Sequence, residues 1–121
     1  MFQFVKNSFC LRYVGEKLHL ALQLNFDHAP MILSSSVWGD LKGISLIGGM
    51  CNRNSTSLSL DHGEPYQTAN TVAHEMGHRI GLYHSDKCPC PKEPCLMVGY
   101  LRDFKNPFLH DPVFAQCSIK R

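Results

Sequence analysis

The stretch "HEMGHRIGLYHSD", residues 74 to 86, sets three histidines, one glutamate and two glycines close together. On a helix, residues four apart lie about 40° apart around the axis, so His74 and His78 project side by side and can share one metal ion. Glu75 is offset from both, too far round to complete a compact ligand set but able to reach a water molecule on the metal. It is the candidate general base. His84 follows six residues after His78, and a continuous helix would carry it to another face. Gly81 stands where a left-handed glycine can stop the helix, so the chain can fold back and bring His84 in as a third imidazole. Structural zinc is usually closed by four protein ligands, whereas catalytic zinc keeps a position for water and lowers its pKa to about 7. Three neutral ligands beside a glutamate therefore favour hydrolysis. H-E-x-x-H can also arise by chance on an amphipathic helix; Gly81 and His84 at these spacings weigh against chance.

The pattern around the motif supplies the elements that carry it. From Tyr66 to about Ile80, the residues Ala69, Val72, Ala73, Met76 and Ile80 recur at three- and four-residue steps and form one apolar helical stripe. Glu64 followed by Pro65 suits the start of that helix. Upstream, "KLHLALQLNF" (17–26) alternates with the period of a strand, and "MILSS" (31–35), "KGISLIGGMC" (42–51), bounded by Gly43 and ended by the Gly48-Gly49 pair, and "SLSLDH" (57–62) read as further short strands. Downstream, Pro89, Pro91, Pro94, Pro107 and Pro112 predict an extended, turn-rich segment, and Asp111-Pro112 can cap a short final helix through Gln116 or beyond. There are no repeats or low-complexity tracts.

At 121 residues the chain suits a single domain, residues 1–121. Its 44% hydrophobic and 18% charged residues are those of a globular protein, and a net charge of +2 argues for neither nucleic acid nor an anionic membrane as partner. No apolar run approaches the roughly 18 to 20 residues needed to cross a bilayer. Six cysteines (Cys10, Cys51, Cys88, Cys90, Cys95 and Cys117) suggest a disulfide framework or a sulfur-ligated metal, and without a pair of C-x2-C motifs their spacing favours disulfides and a secreted protein. The sequon Asn54-Ser55-Thr56 agrees with that setting. The first twenty residues, charged at Lys6, Arg12, Glu16 and Lys17, do not read as a signal peptide.

H-E-x-x-H-x-x-G-x-x-H followed by a methionine resembles the metzincin signature, with Met97 as the counterpart of the methionine turn. "FDHAPMIL", "KGISLIGGMC", "SLSLDH", the zinc helix, the cysteine-rich loop and "FAQCS" (114–118) are similar, in order, to the ADAM/reprolysin group. The resemblance implies an α/β fold of the α+β type: a mixed twisted sheet, a central zinc-binding helix, a Met-turn and a C-terminal helix. It implies one zinc ion on His74, His78 and His84, with calcium possible at an unlocated site, and protein or peptide substrates. Lys42, Gly43, Ile44, Ser45 and Leu46 match the edge strand to which substrate adds, although an ordinary sheet strand fits their sequence equally. The family also implies a Cys51–Cys117 disulfide and a partner for Cys95 in Cys90 or Cys88; Cys10 and one loop cysteine then lack assigned partners, and a free or intermolecular Cys10 is favoured over an inhibitory Cys10 thiolate on the zinc.

Three departures qualify the resemblance. Ser85 stands where an aspartate usually follows the third histidine, with Asp86 one place later. Val98-Gly99 replace a common serine-proline after the methionine, so cleavage specificity does not carry over. Catalytic domains of this group carry strands and helices before the matched region, so the chain is expected to be a partial metallopeptidase domain. The sequence thus predicts a secreted zinc endopeptidase in which Glu75 is general base, with a truncated, non-catalytic zinc-binding relative acting as a binding or decoy module as the alternative. His19, His28, His62 and His110 are expected to be structural or surface histidines.

Overall fold

Half-buried and exposed residues alternate along Ala29–Leu33 (β1), the pattern of a strand covered on one face. In the computed structural model, which describes residues 12–17, 20, 26–34, 40–52, 55–90, 95–99 and 113–119, this strand belongs to a mixed sheet with Gly43–Ser45 (β2) and Thr56–Leu60 (β3). The order is β1-β3-β2; β1 runs parallel to β3, and β2 antiparallel. The register sets Met31, Leu58 and Ile44 in one row across the three strands, and these residues form the hydrophobic cluster of the sheet. The central strand is buried from Thr56 to Ser59, and its small polar side chains lie close to neighbouring elements. His28 spans two hydroxyls here, with Nδ1 3.1 Å from Ser55 Oγ and Nε2 3.0 Å from Ser57 Oγ.

Helix α2, Pro65–Arg79, follows a short helical stretch at 12–17 (α1) in chain order. Its start is closed by the Glu64 carboxylate, which accepts from the Gln67 N–H at 2.9 Å, with Pro65 in the first turn where its missing N–H is not needed. Its end is closed by Gly81, whose φ of 105° is open to glycine and strained for other residues. The helix lies on β3 and β2. Two main-chain bonds tie its last turn to the loop after β2: Gly48 N–H to His78 O at 2.8 Å and Met50 N–H to Arg79 O at 3.2 Å. A short helix α3, Gln116–Ile119, ends the described chain.

Several sequence expectations are corrected. Lys17 and Leu20 are helical rather than extended; leucine, alanine and glutamine are strong helix formers, and the alternating run also holds i, i+4 leucine pairs. The rest of that run, 18–19 and 21–25, lies outside the described residues, as do Cys10, Asn54 and Asp111-Pro112. The strand expected between Gly43 and the Gly48-Gly49 pair is found at Gly43–Ser45, and Gly48 and Gly49, at φ 75° and 83°, turn the chain toward Cys51. The apolar stripe of α2 is not its buried face. Thr68, Thr71, His74, Glu75, His78 and Arg79 are buried, whereas Met76 is 39% and Ile80 57% exposed. Ala69, Val72, Ala73 and Met76 line an apolar groove with Ile32.

The disulfides also differ. Cys117 pairs with Cys88, their Cα atoms 6.2 Å apart, and not with Cys51. Cys95 pairs with Cys90. Cys51 is an exposed free thiol. It sits on a turn whose N–H is held 2.9 Å from Asp27 O beside the start of β1, and the neighbouring Gly49 and Asn52 face Cys117 only across a cavity of about 1350 Å3. Cys88 instead lies in the loop after His84, which itself packs beside Cys117. Alkylating the oxidised, unreduced protein before proteolysis should label Cys51 and yield linked Cys88–Cys117 and Cys90–Cys95 peptides by mass spectrometry. A Cys51–Cys117 peptide would contradict this pairing.

Candidate metal centre

His74 and His78 are fixed by their backs. His74 Nδ1 lies 2.7 Å from Leu96 O, and His78 Nδ1 lies 2.7 Å from Leu82 O. A carbonyl oxygen only accepts, so each Nδ1 carries the hydrogen and each neutral ring keeps a lone pair on Nε2. Those lone pairs converge. His84 Nε2 lies 3.2 Å from His74 Nε2 and 3.1 Å from His78 Nε2. One proton on His84 cannot serve both neighbours, and three nitrogens facing one point form a donor set that suits a cation. Among the described residues, His74, His78 and His84 are the one group of at least three such side chains close enough to hold a metal ion. Imidazole donors suit zinc or another transition metal and not calcium, which takes oxygen.

The return of His84 depends on the turn at the end of α2. Gly81 N–H donates to His78 O at 2.9 Å and Leu82 N–H to Gly77 O at 3.0 Å, which reverses the chain while delivering Leu82 O to His78. From the other side comes the segment around Met97. Ser85 N–H donates to Met97 O at 2.8 Å and Leu96 N–H to Val113 O at 2.9 Å, which holds the Leu96 carbonyl under His74. Met97 is fully buried and its sulfur packs against Gly77, between the two helical histidines, where a side chain on residue 77 would collide with it. Ser85, at the position where an aspartate is usual, is itself buried. Asp86 accepts from Gly99 N–H at 2.7 Å. A Cβ on Gly99 would lie 2.9 Å from Asp86 Oδ2 and 3.0 Å from His84 Nδ1, so Val98-Gly99 closes the turn against His84.

Glu75 is turned toward the sheet. It is 5% exposed, and a Cβ on Gly43 would lie 2.5 Å from its Oε1, so the bare backbone of β2 makes room for the carboxylate. Its Oε2 is buried without a hydrogen-bond partner. Ser45 Oγ donates to the Glu75 main-chain carbonyl at 2.9 Å, which seats β2 on the helix. Burial raises the Glu75 pKa to about 7, against a smaller opposing effect of the Ser45 hydroxyl. Burial likewise lowers His74 to about 4 and also lowers His78. At neutral pH both rings are therefore unprotonated, the form a metal requires. Of the strand residues predicted to meet substrate, Gly43, Ile44 and Ser45 form β2 at the sheet edge, with Lys42 before and Leu46 after it.

Sequence reasoning did not find the carbonyls of Leu82 and Leu96 or the role of Arg79. Main-chain acceptors leave no mark in residue type. The glycines did carry a signal, since glycine within a helix or strand marks close approach. His28 and His62 hydrogen-bond to hydroxyls, and His62 Nε2 lies 2.9 Å from Thr71 Oγ1.

The family model described as Reprolysin (M12B) family zinc metalloprotease matches residues 11–121. The chain is 31% identical over 104 residues to snake venom metalloproteinase atroxlysin-1 of Bothrops atrox, covering 84% of this chain and 52% of that protein. It is 34% identical over 92 residues to a zinc metalloproteinase/disintegrin of Bitis gabonica, covering 72% of this chain and 28% of that protein. The chain thus spans about half the length of the first relative and under a third of the second.

The raised Glu75 pKa has a signed consequence for the metal-free protein. Because the folded value of about 7 lies above the ordinary 4.5, the carboxyl's contribution to stability is full below pH 4.5 and is lost as pH rises through 7. Glu75→Gln should therefore raise the urea-unfolding free energy of metal-free protein at pH 8 by roughly 1 to 3 kcal/mol. At pH 4.5 the same substitution should give little gain.

Proposed function

This chain belongs to the reprolysin (M12B) family of zinc metalloproteases, and from that premise we propose that it is a zinc-dependent endopeptidase acting on proteins or peptides. The observation that carries the proposal is the convergence of three imidazole Nε2 atoms, two of them from the same helical turn as the buried Glu75. In this reading His74, His78 and His84 hold one zinc ion, with the first two rings aimed by Leu96 O and Leu82 O. Zinc, when bound, supplies Lewis-acid activation of water and of a peptide carbonyl.

The chain's own residues supply the rest. A carboxyl whose pKa stands near 7 can take a proton from the attacking water, because bound zinc would bring that water's pKa to about 7, and can return the proton to the departing amine. Glu75 is that base and acid. The edge strand β2, with Lys42 and Leu46 flanking it, accepts an extended peptide antiparallel through main-chain hydrogen bonds. Met97 forms the floor beneath the histidines, the role of the family's methionine turn. The two disulfides and the venom metalloproteinase relative support a secreted protein. Among the described residues no helix is long and apolar enough to cross a membrane.

A second reading keeps the metal site but assigns the chain to binding rather than cleavage; the exposed apolar stripe of α2 favours it as a contact surface. One comparison separates the two. The parent protein should bind one zinc, measured by atomic emission, and cut a quenched casein substrate, while Glu75→Ala keeps the zinc and loses at least about a thousandfold in kcat/KM. Zinc bound by both with no cleavage by either would favour the binding reading. Gly43→Ala, which drives a methyl into the carboxylate, should also retain zinc and lower kcat about tenfold or more.

A further inference from the structure

Among the described residues, those that line the cavity adjoining the candidate metal centre carry more positive than negative charge. The cavity measures about 1350 Å3 and is lined by His78 and His84 together with the segment from Ser45 to Gly49. Arg12, Arg79 and Lys87 also line it, and among the described residues Asp86 is the one carboxylate of the lining. That carboxylate is engaged by the Gly99 N–H at 2.7 Å. Arg79 is 3% exposed; its Nη2 donates to Gly49 O at 2.8 Å and its Nη1 reaches Leu46 O at 3.4 Å. Its Nε is buried with no partner. Buried charges are ordinarily paired, and this guanidinium has carbonyls but no anion among the described residues. Arg12 adds to the field, since after burial its repulsion is what lowers the Arg79 pKa.

The direction of a bound peptide says which part of it would meet that charge. An antiparallel partner of β2 has its N-terminal half toward the C-terminal end of the strand. Glu75 packs at Gly43, where β2 begins, and the cavity opens from Ser45 onward. Residues before the scissile bond therefore run into it. We propose that the cavity is an acid-selective subsite, taking an aspartate or glutamate side chain of the substrate on the N-terminal side of the cut. The exposed Arg12 and Lys87 meet the carboxylate directly, and Arg79 supplies a fixed positive background that has no other counter-ion among the described residues. This subsite rests on the endopeptidase reading above.

The test uses zinc-loaded full chain and quenched peptides that carry Glu, Gln or Lys at each of three positions before the cut. At one position Glu should exceed Gln in kcat/KM by about tenfold at low salt, with Lys poorest, and the gap should shrink in 1 M NaCl. The Arg12→Glu, Lys87→Glu double variant, altered only at exposed positions, should reverse the order to favour Lys; Arg79→Met should bring Glu and Gln toward parity. A structural role for these side chains would lower all three peptides alike. Equal cleavage of the three peptides by the parent, or a preference that survives the double variant, would overturn the proposal. If the parent cuts none of them, the endopeptidase reading fails on its own. Fluorescence anisotropy of labelled Glu and Gln peptides on zinc-loaded Glu75→Ala protein then decides the subsite: tighter Glu binding that the double variant reverses upholds it, and equal binding sinks it.

Discussion

Two imidazole N–H groups held by main-chain carbonyls give the candidate metal centre its shape. His74 leans on Leu96 O and His78 on Leu82 O, each at 2.7 Å, and neither ring can rotate without losing a buried hydrogen bond. Much of the surrounding architecture keeps those carbonyls in place. Leu82 is delivered by the reversal at Gly81, and Leu96 by its pairing to Val113 and the Met97 bond to Ser85. The Cys90–Cys95 disulfide closes the loop that enters this segment, and Cys88–Cys117 staples the loop after His84 to α3. Cross-links of this kind restrict the unfolded chain, which matters where, among the described residues, few large apolar side chains are buried.

The same demand explains why α2 is turned inside out. A helix on a sheet ordinarily buries its apolar stripe and shows water its polar side. Here the residues against the sheet and the Met97 segment are the threonines, histidines and Glu75, because the face that carries the site must meet the elements that orient it. The apolar stripe is left outward beside Ile32. Small strand side chains make this tolerable: Gly43 leaves room for the Glu75 carboxylate, and Ser45 bonds to the Glu75 main-chain carbonyl.

Burial without full compensation sets the electrostatics. Desolvation holds His74 and His78 unprotonated and pushes Glu75 toward neutrality, while Oε2 of Glu75 lacks a partner. In the metal-free chain the Glu75 shift costs stability above the ordinary carboxyl range and the histidine shifts cost it only in acid, and at neutral pH the two rings are left in the form that metal binding uses. Arg79 continues the theme, with its guanidinium clasping the loop after β2 at the helix end and its charge left facing a cavity.

The sequence by itself determined the helix and its contents. A four-residue repeat of histidine, a glutamate beside it and a glycine at the helix stop are local facts, and local periodicity makes them legible; the helix expected from Tyr66 to about Ile80 is found at Pro65–Arg79. Three of the strands were legible in the same way and are found at Ala29–Leu33, Gly43–Ser45 and Thr56–Leu60. Which face of α2 is buried was decided only by the tertiary structure, because an apolar stripe says what water disfavours and not what a site requires. The disulfide partners were decided there too. Cys51 and Cys88 are equally good partners for Cys117 in residue type, and the hydrogen bond that anchors the Cys51 turn to Asp27 leaves Cys88 as the cysteine beside it. The carbonyls of Leu82 and Leu96 depend on backbone direction alone, which no side chain in the sequence announces.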